Sequence, residues 1–524
     1  MLGPRSGSRF VALMRRFRKD SRANVAVIFV IALLPILTAI GSAVDYSLAT
    51  RMRAKLQSAA DAAGVASISQ KSAGYNAAMS MTSNGSVSAG VTEANNIFDG
   101  NMSPVTGYTN LSRTSTVTKT GNTLSSLVQF SADVPVVFMK VIGYQKLTVT
   151  GSSTASASLP LYLDFYLMLD VSGSMGLPST DAEQSRLAAV NPDNHVNYPT
   201  GCTLACHFAT QDVCGNGGQK YPTNNYCMGY TYSRVSQSLL QNLITKPSTP
   251  SVPKQNPGLP NSMLPGLPAS LTSGNPNSLP SVSACSTDGT DACIQLRADA
   301  VGYAVQQLLL TANATARVPN QFRIGLYPFI RYLYAYFALT NSINGSPTNS
   351  STINYAAANL ASQLDTNVNS NLGSGGTHFE NAFPSMSTII TSVGDGSAWN
   401  NTLPYVFLVT DGAQDPQVKA INGGSWSGSN HATVLDPVAQ CKPLKDRGII
   451  ISVLYIPYQP IQNPNPSFAG NEDGYANANI PNIPPSLQAC ASPNFFFTAN
   501  TPADITTALN AMFNQALVTA HITH

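Results

Sequence analysis

Asp170, Ser172 and Ser174 close the stretch 161–175, LYLDFYLMLDVSGSM, in which an apolar run long enough for one buried strand breaks into a small-residue turn. One carboxylate and two hydroxyls thus sit on a tight loop, and Gly173 lets the backbone bend with no side chain in the way. A second apolar run, PYVFLVTD at 404–411, ends in Asp411 and is followed by Gly412. Between them GSGGT, 373–377, presents the Thr377 hydroxyl on a glycine-rich loop ahead of an amphipathic segment, 379–393. If both strands lie centrally in a parallel sheet, their carboxyl ends open into one crevice, where open α/β sheets place ligands. Five hard oxygens then face a common centre. They suit Mg²⁺, with Mn²⁺ or Ca²⁺ as alternatives, because Mg²⁺ takes octahedral oxygen ligands, few carboxylates and several waters. Such a site keeps an exchangeable position that an Asp or Glu of a protein partner can fill. The competing assignment makes Asp170 and Asp411 helix caps and the serines turn residues.

The elements that must position these groups follow along the chain. A length of 524 residues exceeds one compact core, so several domains or a large insertion are expected. From 291 to 314 the spacing predicts a helix with Ile294, Ala298, Val301, Val305, Leu308 and Leu309 as its apolar stripe. Strands are expected at 322–330, at 332–340 (antiparallel, at an edge), at 404–410, 449–456 and 495–498. Helices are expected at 354–364, after Thr377, near 437–447, near Leu487 and at 502–517, where Pro502 starts the last one. Residues 456–485 read as a polar loop. Alternating strand and helix implies an α/β fold, a doubly wound, mostly parallel sheet covered on both faces.

Ahead of this domain the chain has a different character. Arg5, Arg9, Arg15, Arg16, Arg18, Lys19 and Arg22 stand against the single acid Asp20, so 1–22 is a basic leader. Residues 23–44 carry no charge and are long enough to cross a bilayer as a helix, with Pro35 inside it. The larger basic excess before the span predicts a cytoplasmic N-terminus and a periplasmic C-terminal domain in a single-pass protein of the inner (cell) membrane. A cleaved signal would have an apolar core of about 7–15 residues and an A-x-A-like site. The longer run without a clean site favours an uncleaved anchor. Residues 45–70 continue as an Ala-rich helix, followed by a polar linker. A small antiparallel sheet is expected over 111–158, interrupted at Pro135 and turning at Gly121-Asn122. The expected domains are 1–22, 23–44, 45–160 and 161–517, the last with a Cys/Pro-rich insertion at about 178–290.

That insertion holds Cys202, Cys206, Cys214, Cys227 and Cys285, with Cys293 at its exit; Cys441 and Cys490 make eight in all. An even count in an exported segment favours disulfides, with proximity suggesting pairs within 202–227 and between Cys285 and Cys293. The rival for Cys202-x3-Cys206-His207 is Zn²⁺, but no second Cys or His pair at finger spacing lies nearby. Residues 246–283, rich in Pro, Ser and Asn, read as extended or disordered.

The set DVSGS at 170–174, Thr377 in GGTHFENAF and TDG at 410–412 resembles the metal-ion-dependent adhesion site of von Willebrand factor type A domains. All five positions match. The resemblance implies that Ser172 and Ser174 bind the metal directly and Thr377 directly or through water, while Asp170 and Asp411 hold its waters and balance its charge. The front half resembles the TadE/TadG-like proteins of bacterial tight-adherence (Flp) pilus assembly systems, through the basic leader, the single span, AADAAGVAS at 59–67 and the strand pair within 134–157. The prepilin signature of those systems does not precede Ala23, and Asp45-Tyr46 lies at the far end of the span, which argues against prepilin-peptidase processing.

Charged residues are only 10 % of the chain and the net charge is +3, with no basic stripe, which excludes nucleic acid as partner. No G-x-x-x-x-G-K-[ST], H-E-x-x-H or G-x-S-x-G occurs, and His207, His378 and His431 read as surface or loop residues. Glu380 is expected to cap or salt-bridge the helix start, and Asp415 and Asp436 to tune the rim. The expectation is a non-enzymatic, membrane-anchored assembly or anchoring component that docks an acidic residue of pilus assembly partners. The alternative is an envelope adhesin or sensor for a host or matrix ligand.

Overall fold

The computed structural model describes residues 23–190, 233, 236, 238, 284–365, 369–421, 425–460 and 470–522. The leader 1–22, Cys202, Cys206, Cys214, Cys227 and the segment 246–283 lie outside the described residues. The chain divides into two compact units, Met1–Leu159 and Pro160–His524.

The first unit is built on one helix, Ala23–Ala66, which runs 44 residues through Pro35, about 66 Å at ~1.5 Å per residue. It is long and apolar enough to cross a membrane, and a bilayer core of ~30 Å takes only its first half. The burial pattern changes accordingly. Ile28, Ile31, Leu34, Leu37 and Ile40 face outward, whereas Ala49, Met52, Leu56, Ala59, Ala60 and Ala63, at helical spacing, are buried. They pack against Val128, Phe130, Ala132 and Val134, which alternate along one strand. That strand belongs to an antiparallel sheet of order β1-β2-β3-β4, with β1 Gly85–Ser86, β2 Thr109–Thr120, β3 Thr123–Pro135 and β4 Lys146–Ser158. Gly121, at φ +57°, makes the β2–β3 turn.

The polar linker expected after Gln70 is instead two helices, Ala73–Ser80 and Ser88–Met102. Only every fourth residue of the second is buried, Gly90, Ala94, Phe98 and Met102, too sparse and small a stripe to stand out from polar sequence. A Cβ on Gly74 would stand 2.7 Å from the Gly90 Cα, so two glycines let these helices touch.

The second unit is a mixed α/β domain around a six-stranded sheet. Its strands are β5 Leu163–Asp170, β6 Phe322–Phe329, β7 Phe337–Thr340 and β8 Leu403–Thr410, then, beyond four two-residue strands (β9 Ala413–Gln414, β10 Val418–Lys419, β11 Trp426–Ser427, β12 Thr433–Val434), β13 Ile450–Tyr455 and β14 Phe496–Thr498. The order is β14-β13-β8-β5-β6-β7, parallel throughout except for β7. The edge strand is shorter than the expected 332–340, because Tyr334 turns back to donate to the Pro328 carbonyl. Every residue of β5 and β8 is buried, as two-sided coverage demands. Leu163, Phe165, Leu167 and Leu169 meet helix Arg297–Thr315, helix Ile353–Ala358 and the closing helix Pro502–Ile522. Tyr166 and Met168 meet helices Phe379–Ile389 and Ile483–Cys490 on the other face.

The ends of the Cys/Pro-rich stretch lie side by side. Ser179 N–H donates to the Gln295 carbonyl and Arg297 N–H to that of Leu177, so the sheet continues undisturbed past the insertion. Helix Asp181–Val190 opens the stretch, and the buried Glu183 carboxylate accepts from the Gly289 and Gln295 amides, which fastens the return. Cys285 pairs with Cys293, and Cys441 pairs with Cys490 across 49 residues. The region 456–485, read as a polar loop, contains helix Glu472–Asn479 and a 3₁₀ turn, Ile480–Asn482. Its helix buries only Asp473 and Ala476, which hides it from any apolar periodicity.

In the first unit one carboxylate clamps three strands. Asp133 of β3 accepts from Asn110 Nδ2 of β2 at 2.9 Å, and from Thr148 Oγ1 at 2.7 Å and Lys146 Nζ at 2.5 Å on β4. The Lys146 ammonium first, then Asn110 and Thr148, hold its pKa down at about 2 from 3.8. A depressed acid stabilises the fold above its unfolded pKa and loses that contribution as pH falls through its folded pKa. The unfolding midpoint of this unit is therefore expected to drop between pH 3.8 and about 2, and Asp133→Asn to flatten that slope in a pH series of thermal melts. An unchanged slope in the variant would contradict the clamp.

Candidate metal centre

Asp170 is the last residue of β5, and Asp411 directly follows the last residue of its parallel neighbour β8. The chain leaves β5 toward β6 and β7 on one side and returns to β8 on the other, so the direction of strand addition reverses between these two strands. Open α/β sheets form their binding crevice at that reversal.

Both strand ends are tied to each other. Asp170 Oδ2 accepts from Thr410 Oγ1 at 2.6 Å and its Oδ1 from the Ser172 amide at 3.0 Å, which folds the loop back over the strand. The Ser172 and Ser174 hydroxyls stand 3.3 Å apart. The loop carrying Thr377 is pinned to this one through Asp365. The Asp365 amide donates to the Val171 carbonyl, while its carboxylate accepts from Ser374 Oγ at 2.7 Å and the Gly375 amide at 3.0 Å. Gly376 is required where the loop meets the segment after β8, since a Cβ there would stand 2.2 Å from the Asp415 carbonyl oxygen.

Ser172, Ser174 and Thr377 line one cavity of ≈ 40 Å³ together with Asp415, Tyr458 and Glu472, several times the ~10–15 Å³ that one water needs. Asp170 and Asp411 do not reach its wall; they are 1 % and 0 % exposed. Asp436, expected at the rim, caps the turn Pro437–Cys441 instead, accepting from the Val438 and Ala439 amides.

Asp411 has the most unusual surroundings. Both its oxygens are buried and, among the described residues, accept no completed hydrogen bond; the Ser174 hydroxyl and the Ala413 amide are turned toward it without completing one. The nearest cation is Arg297, whose Nη1 lies 3.6 Å from Asp411 Oδ2 and is itself buried without a hydrogen bond, while Nη2 donates to the Pro457 carbonyl at 3.2 Å. Burial, then the charge of Asp170, pushes the Asp411 carboxyl up, against the opposing pull of Arg297. Burial likewise raises Asp170 against its bonds from Thr410 and Ser172. A buried carboxylate with no donors has the chemistry that a divalent cation and its waters satisfy. Among the described residues no three His, Cys, Asp or Glu side chains gather around a point, so the donor set is hydroxyl-rich with two carboxylates.

His378, expected at the surface, is 4 % exposed beside Thr377. Its Nε2 faces the Gln417 carbonyl at 2.9 Å and its Nδ1 faces Glu380 at 2.5 Å. Two acceptors on one ring are satisfied together only by the imidazolium. Burial depresses the pKa, but Glu380 and the Gln417 carbonyl outweigh it and the net shift is upward. His431 stacks on Tyr475 with ring centroids 3.7 Å apart, and His207 lies outside the described residues. Arg297, Asp365 and Thr410 were not singled out from sequence. The available signal was a charged residue between the buried Leu296 and Ala298 in the first case, and the residue before Asp411 in the last.

Residues 23–69 match the family of putative Flp pilus-assembly TadE/G-like proteins. No curated protein matches the chain by sequence. Among solved structures it is similar to the PilB minor pilin from Streptococcus sanguinis, at 10 % identity and TM-score 0.31 over 78 % of each chain. It is also similar to the vWF domain of the type V pili tip protein Mfa5 from Porphyromonas gingivalis, at 11 % identity and TM-score 0.28 over 69 % of this chain and 97 % of that one. Proximal thread matrix protein 1 from the mussel byssus, with a zinc-occupied MIDAS motif, is 15 % identical at TM-score 0.25 over 42 % of this chain and 43 % of that one.

Removing Arg297 strands Asp411 beside Asp170 with no cation. Arg297→Ala is expected to lower stability by ~3–5 kcal/mol in chelator, the cost of breaking a buried ion pair from one side. Denaturant unfolding measures it, and a loss below ~1 kcal/mol would show that the pair carries no such burden.

Proposed function

We propose that this TadE/G-like chain is a single-pass component that assembles or anchors a tight-adherence (Flp-type) pilus. Its second unit is read as a doubly wound von Willebrand A-type domain that docks a partner's carboxylate through a divalent cation. The observation that carries the reading is Asp411, a buried carboxylate with neither oxygen in a completed hydrogen bond, one strand from Asp170 and facing the Ser174 hydroxyl, which lies 3.3 Å from that of Ser172.

Ser172, Ser174 and Thr377 would hold the cation from the cavity side, and Asp170 and Asp411 would orient its waters from behind. Mg²⁺ fits a site with three hydroxyls and two carboxylates better than a softer ion does. When bound, the ion supplies a Lewis-acidic position that an incoming Asp or Glu can occupy. Arg297 sets the charge of the loaded site. It offsets one of the two buried carboxylates, so that a divalent cation would be less neutralised by Asp170 and Asp411 and keep more of its pull on an anionic ligand. Asp365 and Thr410 keep the three loops in register, so docking needs little reordering.

The role proposed for the chain is binding, not turnover. The basic leader supports a cytoplasmic N-terminus and a periplasmic second unit, a compartment in which the disulfides Cys285–Cys293 and Cys441–Cys490 would persist. Titrating Mg²⁺ into the protein is expected to give binding that Asp170→Ala weakens ~10–100-fold, as loss of an outer-shell carboxylate does. Chelator is expected to abolish capture of pilus components from an envelope extract. Undiminished, metal-dependent capture by Asp170→Ala would refute the docking mechanism, and capture of a host or matrix protein instead would favour an adhesin.

A further inference from the structure

The connection between β3 and β4 in the first unit carries an apolar patch that the pilus reading leaves without a task. Val137, Phe138, Val141, Ile142 and Tyr144 are 64 %, 48 %, 69 %, 50 % and 55 % exposed. A soluble loop of ten residues rarely shows five such side chains to water. Nor does this loop hang free. The Asp45 carboxylate accepts from three successive amides, those of Val137 at 3.0 Å, Phe138 at 2.8 Å and Met139 at 2.7 Å. Phe138 lies directly on the long helix at Gly41, where an added Cβ would come within 2.4 Å of the Phe138 Cβ.

Gly41 lies inside the charge-free stretch 23–44 and Asp45 immediately after it. The patch is therefore held at the level of the last apolar turn of the helix, where Leu37, Ile40 and Val44 also face outward. Its composition suits that depth. Residues 136–145, VVFMKVIGYQ, contain no acid, one exposed base, Lys140, and two aromatic rings. Aromatic rings and lysine are what collect at the boundary between acyl chains and headgroups.

We propose that the β3–β4 connection is a second membrane anchor, seating Phe138, Val141 and Ile142 in the leaflet from which the helix emerges, with Lys140 and Tyr144 among the headgroups. The lipid surface is the occupant because the patch is continuous with the helix's own outward-facing apolar residues. A consequence is orientational. A helix alone can rotate and tilt, whereas a helix with a wedge fixed to its exit presents the sheet in one attitude to the bilayer. The inference rests on reading Ala23–Ala66 as a membrane span.

The test uses the full chain in phosphatidylcholine/phosphatidylglycerol vesicles. Val141→Trp is introduced with Trp399→Phe and Trp426→Phe, leaving one indole, and the control is Ser83→Trp in the same background. Ser83 is exposed and adjoins Asn84, which binds the Gly121 amide at the β2–β3 turn, the opposite end of β3 from the patch. Lipids brominated on the acyl chain are expected to quench the Val141→Trp indole several-fold more than the control. Gly41→Val, which displaces Phe138, is expected to reduce that difference while the protein still floats with the vesicles. Equal quenching of the two indoles overturns the proposal. So does an indole shielded from aqueous iodide but untouched by brominated lipid, which would mean that a protein surface, such as a second copy, covers the patch. Failure of the unmodified chain to float with vesicles would overturn the span itself and this inference with it, an outcome that flotation separates from loss of the wedge alone.

Discussion

Two carboxylates brought to the ends of adjacent parallel strands are the constraint on which the second unit turns. Asp170 and Asp411 are buried together, and Arg297 is the fixed positive charge drawn against Asp411. Burial raises the free energy of each charge, and their mutual repulsion adds to it. Much of the surrounding architecture serves to hold this arrangement. Thr410 and the Ser172 amide satisfy Asp170, Asp365 latches the Thr377 loop, and the insertion leaves and rejoins at Leu177 and Arg297 without disturbing β5. Among the described residues, neither oxygen of Asp411 completes a hydrogen bond. A folded chain that retains such a group commonly does so for a ligand.

The first unit solves a different problem, that of joining an outward-facing apolar helix segment to a packed sheet. One continuous helix does both, because its outward apolar face ends near Val44 and a buried stripe of small residues begins at Ala49. Alanines at 59, 60 and 63 allow the sheet to approach closely, and Phe98 and Phe130 fill what they leave. The carboxylates Asp45 and Asp133 are spent on opposite tasks, one holding a loop to the helix and the other clamping three strands.

Much of the fold was legible in the sequence where physical rules leave few options. The runs ending in Asp170 and Asp411 are apolar at nearly every position, which only a strand covered on both faces tolerates, and both are central strands. The five candidate residues stood out in the sequence because two of the runs end in a carboxylate and glycine-rich, hydroxyl-bearing loops lie at or between them. Three of them share a cavity wall and the other two lie outside it, a distinction between cavity-lining and buried oxygens that depends on side-chain placement. Less could be read where burial is sparse or partners are distant. Helix Ala73–Ser80 buries only Gly74, Tyr75 and Ala78, helix Ser88–Met102 only every fourth residue, and Glu472–Asn479 an Asp and an Ala. Arg297 gains its meaning from Asp411, Asp365 in part from Val171 and His378 in part from Gln417, all distant along the chain, and the partner of Cys441 lies 49 residues away. Residues 137–144 read only as part of a small sheet interrupted at Pro135, while their place beside the helix comes from a contact with Gly41.

The most direct test of a cation at the β5–β8 crevice is anomalous scattering from crystals of the protein grown with Mn²⁺, a scatterer whose oxygen chemistry is close to that of Mg²⁺. A peak bounded by the Ser172, Ser174 and Thr377 hydroxyls, with Asp170 and Asp411 reaching it directly or through water, is the predicted result. An ordered crevice with no peak, Asp411 still set against Arg297 alone, would contradict it and leave the buried carboxylates as parts of a scaffold.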